Sequence, residues 1–91
     1  MPTFLAIHNF GPGARERFAK GGPAMIALLK ERYPQVVWNG AYIQWETGKA
    51  VCFWDAPDLD TIKGLFEQTQ TPYQEIYPAE WFTPHDLATR A

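Results

Sequence analysis

A chain of 91 residues with a net charge of −2 has room for one small domain and offers no basic surface to a polyanion. Its 10 acidic and 8 basic side chains form no cluster of Lys and Arg, which excludes the usual nucleic-acid-binding and membrane-surface classes. No apolar run approaches the roughly 20 residues of a membrane span, and a single cysteine rules out an internal disulfide. We therefore expect one domain over residues 1–91, in a reducing cytoplasm, with no nucleic-acid or membrane partner.

The first predicted elements are a strand and a helix. Residues 3–10 are apolar and are followed by a Gly-Pro-Gly turn, which predicts a strand that carries His8 on one of its faces. Residues 14–33 have helical periodicity, but the Gly-Gly-Pro stretch at 21–23 is a poor helix interior. We therefore expect the helix to break there and to begin again at Pro23.

A β-hairpin is predicted next. Residues 35–45 and 49–56 read as two strands, and Gly48 in the turn between them can adopt a positive φ angle. Regular alternation along the first strand would place these residues on one face: Val36, Trp38, Gly40, Tyr42 and Gln44. Both strands are largely apolar on both faces, so we expect both sides of the sheet to be covered.

The last part of the chain predicts a second helix and a final strand. Asp58 is a good N-cap, and the helix that follows it ends before Pro72. Residues 72–82 predict a strand, which Pro78 confines to an edge position or a bulge. Residues 83–91 read as a surface arm.

The order β-α-β-β-α-β indicates an α+β protein with the ferredoxin-like fold. This fold is a four-stranded antiparallel sheet with two helices on one face. The strands remain apolar on the other face as well, and a bare apolar face of that size is unfavourable in water. We therefore expect a homodimer, of the dimeric α/β-barrel type, in which two sheets pack face to face.

His8 is the strongest single candidate for a functional residue. A neutral imidazole can act as a general base or as a metal ligand, although an ordinary hydrogen-bonded core histidine is also possible. Aromatic side chains make up 15% of the chain, four of them Trp, and such an excess of rings predicts a pocket or an interface. We expect an aromatic ligand pocket around His8. Its proposed members are Tyr42 as a second catalytic group, with Trp38, Trp54 and Glu80 as ligand-binding residues.

Other reactive side chains are better explained as structural. Cys52 lies among apolar residues that would raise its pKa, so we favour a core residue over a nucleophile paired with His8 or His85. Asp55 and Asp58 are best explained as a turn residue and a helix cap, with an acid–base pair as the alternative. The spacing of His and Cys shows no local metal motif.

Four segments of the chain resemble a known protein family: MPTFLAIH at the start, WNGAYIQW, CFWDAPD and the closing IYPAEWFTP. The chain is similar to a family of short ferredoxin-like proteins of unknown function to which nickel binding has been attributed. The resemblance implies the fold, a dimer and nickel as a possible metal. His8 is the candidate ligand on its own chemistry, since a neutral imidazole can coordinate a metal. The resemblance gives little information about function, because one fold hosts many kinds of site.

Two functions remain open from the sequence. The first is a binding module for a metal ion, nickel by resemblance, or for a small ligand. The second is a cofactor-free enzyme of the dimeric α+β-barrel kind, acting on a small aromatic or polyketide-like substrate with His8 as general base. A domain that only self-associates is a third possibility.

Overall fold

The computed structural model describes residues 1–90 of the chain. In chain order the elements are β1 (Thr3–Asn9), α1 (Ala14–Arg32), β2 (Val37–Gln44), β3 (Lys49–Asp55), α2 (Leu59–Thr69), β4 (Glu75–Ala79) and α3 (Pro84–Arg90). The first six follow the predicted βαββαβ order, which confirms the α+β class. Within residues 1–90, no helix is long and apolar enough to cross a lipid bilayer.

The C-terminal segment differs from its predicted form. The strand predicted over 72–82 is shortened to Glu75–Ala79, and most of the predicted arm forms the short helix α3. The last residue of that arm, 91, lies outside the described residues.

The four strands form one antiparallel sheet in the order β2-β3-β1-β4. β1 therefore lies in the interior of the sheet, paired with β3 on one side and with β4 on the other. β4 is an edge strand, as Pro78 predicts, because an edge position tolerates a residue without a backbone donor. This is the sheet of the predicted ferredoxin-like arrangement.

The core lies on one face of this sheet. β1 and β3 alternate between buried and half-buried residues, so each strand turns one face inward. The core cluster consists of Phe4, Ala6, Val36, Cys52, Trp54, Ala56, Ile62, Leu65 and Phe66, with Met25, Leu28 and Leu29 packed against it. Because these residues come from the sheet and from both long helices, α1 and α2 cover the same face, as predicted.

A β-bulge in β2 changes which residues share a face. The pairing of β2 with β3 shifts between Trp38 and Gly40, which leaves Asn39 as an extra residue. Gly40 has a φ of 136°, a conformation that glycine adopts without strain. Because each later residue moves to the opposite face, Tyr42 and Trp38 lie on different faces of the sheet. The shared face predicted for these two residues is therefore wrong.

Helix α1 is continuous through Gly21, Gly22 and Pro23, where the sequence predicts a break. A proline inside a helix leaves the carbonyl four residues earlier, here that of Ala19, without its usual donor. Both Pro23 and Ala19 are exposed, so water can hydrogen-bond that carbonyl. The predicted break is wrong because the unfavourable stretch lies on a solvated helix.

The hairpin turn is fixed against the loop after β1. Gly48 has a φ of 82°, and a Cβ at this position would collide with the backbone of Gly11. The Gly48 carbonyl also accepts a hydrogen bond from the backbone N–H of Phe10 at 2.9 Å. Gly48 is therefore required both by its φ angle and by the close approach of two chain segments.

Helices α1 and α2 leave the opposite face of the sheet, here called the outer face, uncovered. Its central residues are half-buried and apolar: Leu5, Ile7, Val51 and Phe53. Around them lie the exposed side chains of Val37, Tyr42 and Tyr77. The two long helices thus cover one side of the sheet, where the sequence predicts cover on both.

Candidate functional site

A cavity of about 660 Å³, open to solvent, lies between the core face of the sheet and the helices α1 and α2. Most of its lining is apolar or aromatic and includes Phe10, Phe18, Met25, Leu28, Trp38, Cys52, Trp54 and Phe66. His8 from β1 contributes an imidazole, and Thr69 and Thr71 contribute hydroxyl groups at the end of α2. An apolar cavity with a few polar groups is the usual form of a small-molecule site.

His8 lies in this cavity wall in a neutral form. Its ring is 2% exposed and stacks on Phe10 with the two centroids 4.7 Å apart. Its Nδ1 lies 2.7 Å from the carbonyl oxygen of Pro72, and a carbonyl can only accept, so Nδ1 carries the proton and Nε2 does not. Burial lowers the pKa of His8 below its usual 6.5, the Pro72 hydrogen bond raises it, and the charge of Arg17 lowers it. The imidazole therefore offers an acceptor, Nε2, at neutral pH.

Trp38 and Trp54 are cross-strand partners whose rings stack, with centroids 5.8 Å apart and planes 18° from parallel. Trp54 is 2% exposed and Trp38 is half-buried. Within the described part of the chain, neither buried indole Nε1 has a hydrogen-bond acceptor. Buried polar groups are nearly always hydrogen-bonded, so two such donors in one cavity wall are unusual.

Cys52 is a buried residue that also lines the cavity. Burial raises the pKa of its thiol to about 11, against a smaller lowering effect of the nearby Trp38 indole. Sulfur is a weak acceptor, and the Trp38 N–H does not meet hydrogen-bond geometry with it, so we regard that N–H as unpartnered. A protonated thiol in apolar surroundings is a poor nucleophile, in agreement with a core role.

Gly21 and Gly22 of α1 are lining residues that the sequence did not identify. A Cβ added to either glycine would meet no heavy atom within 4 Å, so the missing side chains leave space between helix and sheet. The sequence carried a signal for this role in two adjacent glycines within a helical pattern, which is unfavourable for the helix itself. We interpret them as the residues that keep the cavity open on its α1 side.

The charged residues of the cavity lining lie on α1 and are exposed. They are Arg17 and Lys20. The Arg17 guanidinium lies 5.0 Å from the centroid of the Phe10 ring and donates a hydrogen bond to the Gln70 carbonyl at 3.4 Å. Lys20 pairs with Glu16 at 2.7 Å on the helix surface. Charge is thus found at the solvent edge of the cavity, whereas the groups on the sheet are uncharged.

Two of the predicted site residues do not join this cavity. The bulge in β2 turns Tyr42 to the outer face, where it is 72% exposed and lines a second hollow of about 490 Å³ that His8 also borders. Glu80 follows the last paired residue of β4, Ala79, and lines neither cavity. The structure therefore brings together His8, Trp38 and Trp54, without Tyr42 or Glu80.

Asp58 has the cap role predicted for it, whereas Asp55, predicted as a turn residue, is the last residue of β3. Asp55 accepts a hydrogen bond from the Thr3 hydroxyl at 2.7 Å, which holds the pKa of its carboxyl below the usual value. Asp58 caps α2, accepting from the Thr61 hydroxyl at 2.7 Å and from the Thr61 backbone N–H at 2.8 Å. These bonds lower the pKa of Asp58 as well. Both carboxylates are thus stabilised in the charged form.

The residues present do not fit a metal centre. Among residues 1–90, no group of three or more His, Cys, Asp and Glu side chains is placed to hold a metal ion. His8 and Cys52 line the same cavity, and Nε2 of His8 is free to coordinate, but the Cys52 thiol stays protonated and no third ligand from the described residues lies beside the two. Metal binding needs the thiolate and normally three or more converging ligands.

A family model and one solved structure resemble this chain. The model of the family described as "Nickel responsive protein SCO4226-like" matches residues 4–78. The crystal structure of SCO4226 from Streptomyces coelicolor A3(2) superposes with a TM-score of 0.72 at 16% sequence identity, covering 89% of this chain and 99% of that one. No curated protein gives a significant match. At this identity the structural likeness establishes the fold alone.

Proposed function

Because the chain belongs to the SCO4226-like family of nickel-responsive proteins, we propose that it is a small homodimeric binding protein whose cavity holds an apolar organic molecule. The observation that supports this most is the cavity of about 660 Å³ between the sheet and α1, with its aromatic walls. Such a space would normally be closed by side chains, because protein interiors pack densely. Here two glycines face it instead.

Nickel is a poorer occupant of this cavity than an organic molecule. The family description names a response to nickel, and imidazole and thiolate are ligands that nickel accepts. In the described part of this chain, however, His8 and Cys52 have no third ligand beside them, and the Cys52 thiol is protonated. We therefore assign the cavity to an organic ligand and derive no role for a metal within it.

A catalytic role has one supporting observation, the neutral state of His8. An unprotonated Nε2 beside an apolar cavity is what a general base requires. The second catalytic group expected from the sequence, Tyr42, lies on the outer face and does not line the cavity. The thiol that shares the cavity with His8, that of Cys52, has a raised pKa and is a poor nucleophile, so we favour binding over catalysis.

The homodimer in this proposal would use the outer face of the sheet. That face carries Leu5, Ile7, Val51 and Phe53, with Tyr42 exposed among them. An apolar sheet face left in water is unfavourable, and a second copy offers an equally apolar, self-complementary surface. The cavity lies on the other side of the sheet, so dimer formation and ligand binding can be tested separately.

The cavity assignment is tested by filling the cavity from the helix. We expect the purified protein to bind naphthalene, an uncharged aromatic probe, with one molecule per chain in isothermal titration calorimetry. The variant Gly22→Leu should lose this binding while remaining folded, because a larger side chain also improves helix propensity over glycine.

Gly64→Leu is the matched control. Gly64 lies in α2, has open space where a Cβ would project, and does not line the cavity. This variant should bind naphthalene like the original protein. Equal binding by both variants, or no binding by the original protein, would contradict the proposed site.

A further inference from the structure

The guanidinium of Arg17 lies at the mouth of the cavity, where α1 faces the end of α2. Its central carbon, Cζ, is 5.0 Å from the centroid of the Phe10 ring, and one of its nitrogen atoms donates a hydrogen bond to the Gln70 carbonyl at 3.4 Å. Phe10 lines the cavity, and so do the two neighbours of Gln70 in the chain, Thr69 and Thr71. An exposed positive charge is therefore held beside the opening of an apolar space.

This charge has no partner of opposite sign in the part of the chain that the structure describes. Arg17 forms no ion pair there, whereas Lys20, the other cation of the lining, is paired with Glu16 at 2.7 Å. A guanidinium has several N–H donors, and the Gln70 carbonyl takes one of them, so most remain for a ligand. The charge of Arg17 also lowers the pKa of His8, whose neutral ring lies in the same cavity wall. Among the lining residues, Arg17 is thus the one best placed to bind an anion.

The polar groups at this opening favour a carboxylate. Thr69 donates its hydroxyl proton to the Leu65 carbonyl at 2.9 Å, so the 2.7 Å contact between the hydroxyls of Thr69 and Thr71 uses the proton of Thr71. Neither hydroxyl then has a proton left for an anion, which leaves Arg17 as the donor. A planar guanidinium matches the two oxygens of a carboxylate, whereas a phosphate with a double charge would need a second free cation.

The rest of the ligand must be apolar. Behind Arg17 the cavity lining consists largely of rings and aliphatic side chains, including Phe10, Phe18, Met25, Leu28 and Phe66. A charged group is costly to bury against such surfaces, whereas an apolar body gains free energy by leaving water. The volume of about 660 Å³ is in the usual range of small-molecule sites. A ligand with one charged end and an apolar body therefore matches both the mouth and the interior.

We propose that the natural ligand is an amphipathic carboxylic acid, with its apolar body inside the cavity and its carboxylate paired with Arg17 at the mouth. This inference rests on the proposed function, because it names the ligand class of the same cavity. It adds a specificity-determining residue, Arg17, and it places the polar end of the ligand at the solvent edge, away from the uncharged groups on the sheet.

The test compares 2-naphthoate with 2-naphthamide, which have nearly the same shape and differ by one negative charge. We expect the original protein to bind naphthoate about fivefold more tightly in isothermal titration calorimetry at neutral pH and low ionic strength, the upper end for an exposed ion pair. Arg17→Gln should lower this preference to about twofold or less. The ratio of the two affinities cancels any change in the cavity that affects both probes equally.

Arg15→Gln is the matched control. Arg15 lies on the same helix and loses the same charge, but its guanidinium lies over the Trp45 ring, 4.5 Å from the centroid, and it does not line the cavity. This variant should keep the fivefold preference. Nuclear magnetic resonance on the original protein gives a readout without a variant: naphthoate should shift the Nε–Hε resonance of Arg17 and naphthamide should not, whereas that of Arg15 should move with neither probe.

Equal affinity of the original protein for the two probes overturns the carboxylate assignment, and the proposed cavity stands if naphthalene still binds. A preference that falls as far in Arg15→Gln as in Arg17→Gln also overturns it, because the net charge of the protein would then select the anion. Tighter binding of 2-naphthyl phosphate than of 2-naphthoate would overturn it in favour of a phosphate. Failure of naphthalene itself to bind would instead contradict the proposed function.

Discussion

At the scale of single residues, burial decides the protonation states that matter for function. His8 and Cys52 lie on the same face of neighbouring strands and are both almost inaccessible to solvent. Desolvation disfavours the charged form of each group, so it lowers the pKa of the imidazole and raises that of the thiol. These two groups of the cavity wall are consequently uncharged at neutral pH.

The lowered pKa of His8 predicts a pH-dependent stability. Below about pH 6.5 the unfolded chain binds a proton at His8 that the folded chain does not, so the free energy of unfolding falls as the pH falls through that range. The slope from this residue is at most about 1.4 kcal/mol per pH unit. Urea unfolding between about pH 7.5 and 5.5 should show a shallower dependence in His8→Gln.

His85→Gln is the control for this measurement, since His85 is an exposed residue of α3. It should keep the pH dependence of the original protein. If the free energy of unfolding changes with pH in the same way in His8→Gln and in the original protein, this prediction is wrong and burial of His8 does not affect stability.

The raised pKa of Cys52 predicts slow reaction with thiol reagents. A pKa of about 11 in place of 9.0 reduces the thiolate fraction about a hundredfold at pH 8, and burial hinders access further. Labelling by an aromatic disulfide reagent should therefore be at least about a hundredfold slower in the native protein than in urea. Comparable rates in the two states would show that Cys52 is accessible.

At the scale of elements, α1 and β2 both depart from regular patterns, and each departure affects the cavity. The bulge at Asn39 turns Tyr42 outward and leaves Trp38 on the core face. The continuous helix α1 carries Gly21 and Gly22 past the sheet without side chains. Local propensity disfavours a helix through residues 21–23, whereas Gly40 suits the bulge because glycine adopts its positive φ without strain.

Pro23 in the interior of α1 is predicted to reduce stability. Pro23→Ala would restore the backbone N–H that can bond the carbonyl of Ala19, and it removes the ring clash. We expect the free energy of unfolding to rise by about 1–3 kcal/mol, as measured by urea unfolding. Pro34→Ala, in the turn after α1, should give no comparable gain. An unchanged or reduced stability in Pro23→Ala would mean that the proline is accommodated without loss.

At the scale of the whole molecule, the two faces of the sheet have different roles in our proposal. The core face carries the helices and the cavity, and the outer face carries Leu5, Ile7, Val51 and Phe53 without a covering helix from α1 or α2. A second subunit is the simplest cover, because it brings the same apolar surface.

Tyr42→Glu tests the homodimer, because it introduces a charge on the outer face beside its apolar centre. Light scattering at micromolar concentration should give a mass of about twice 10.4 kDa for the original protein and about 10.4 kDa for this variant. Ile26→Glu, on the exposed side of α1, should remain dimeric. A single-chain mass for the original protein would rule out the dimer.

The sequence by itself determined the order of elements, the edge position of β4, the cap at Asp58 and the structural nature of Cys52. Each follows from a local property: periodicity, the missing donor of Pro78, a capping side chain or apolar neighbours. The sequence also identified His8, Trp38 and Trp54 as site candidates, because residues on the same face of neighbouring strands are expected to lie close together.

Only the tertiary structure decided which of the candidates meet. One extra residue at Asn39 reverses every later side chain of β2, so Tyr42 leaves the site. Gly40 within the strand pattern is a signal for a bulge, but it does not fix the residue at which the register shifts. Helix α1 continues through residues 21–23, where local propensity predicts a break, because the Ala19 carbonyl that Pro23 leaves without a donor is exposed to water. The cavity lies between that helix and the sheet, and a space between two elements is a property of their packing that neither element specifies alone.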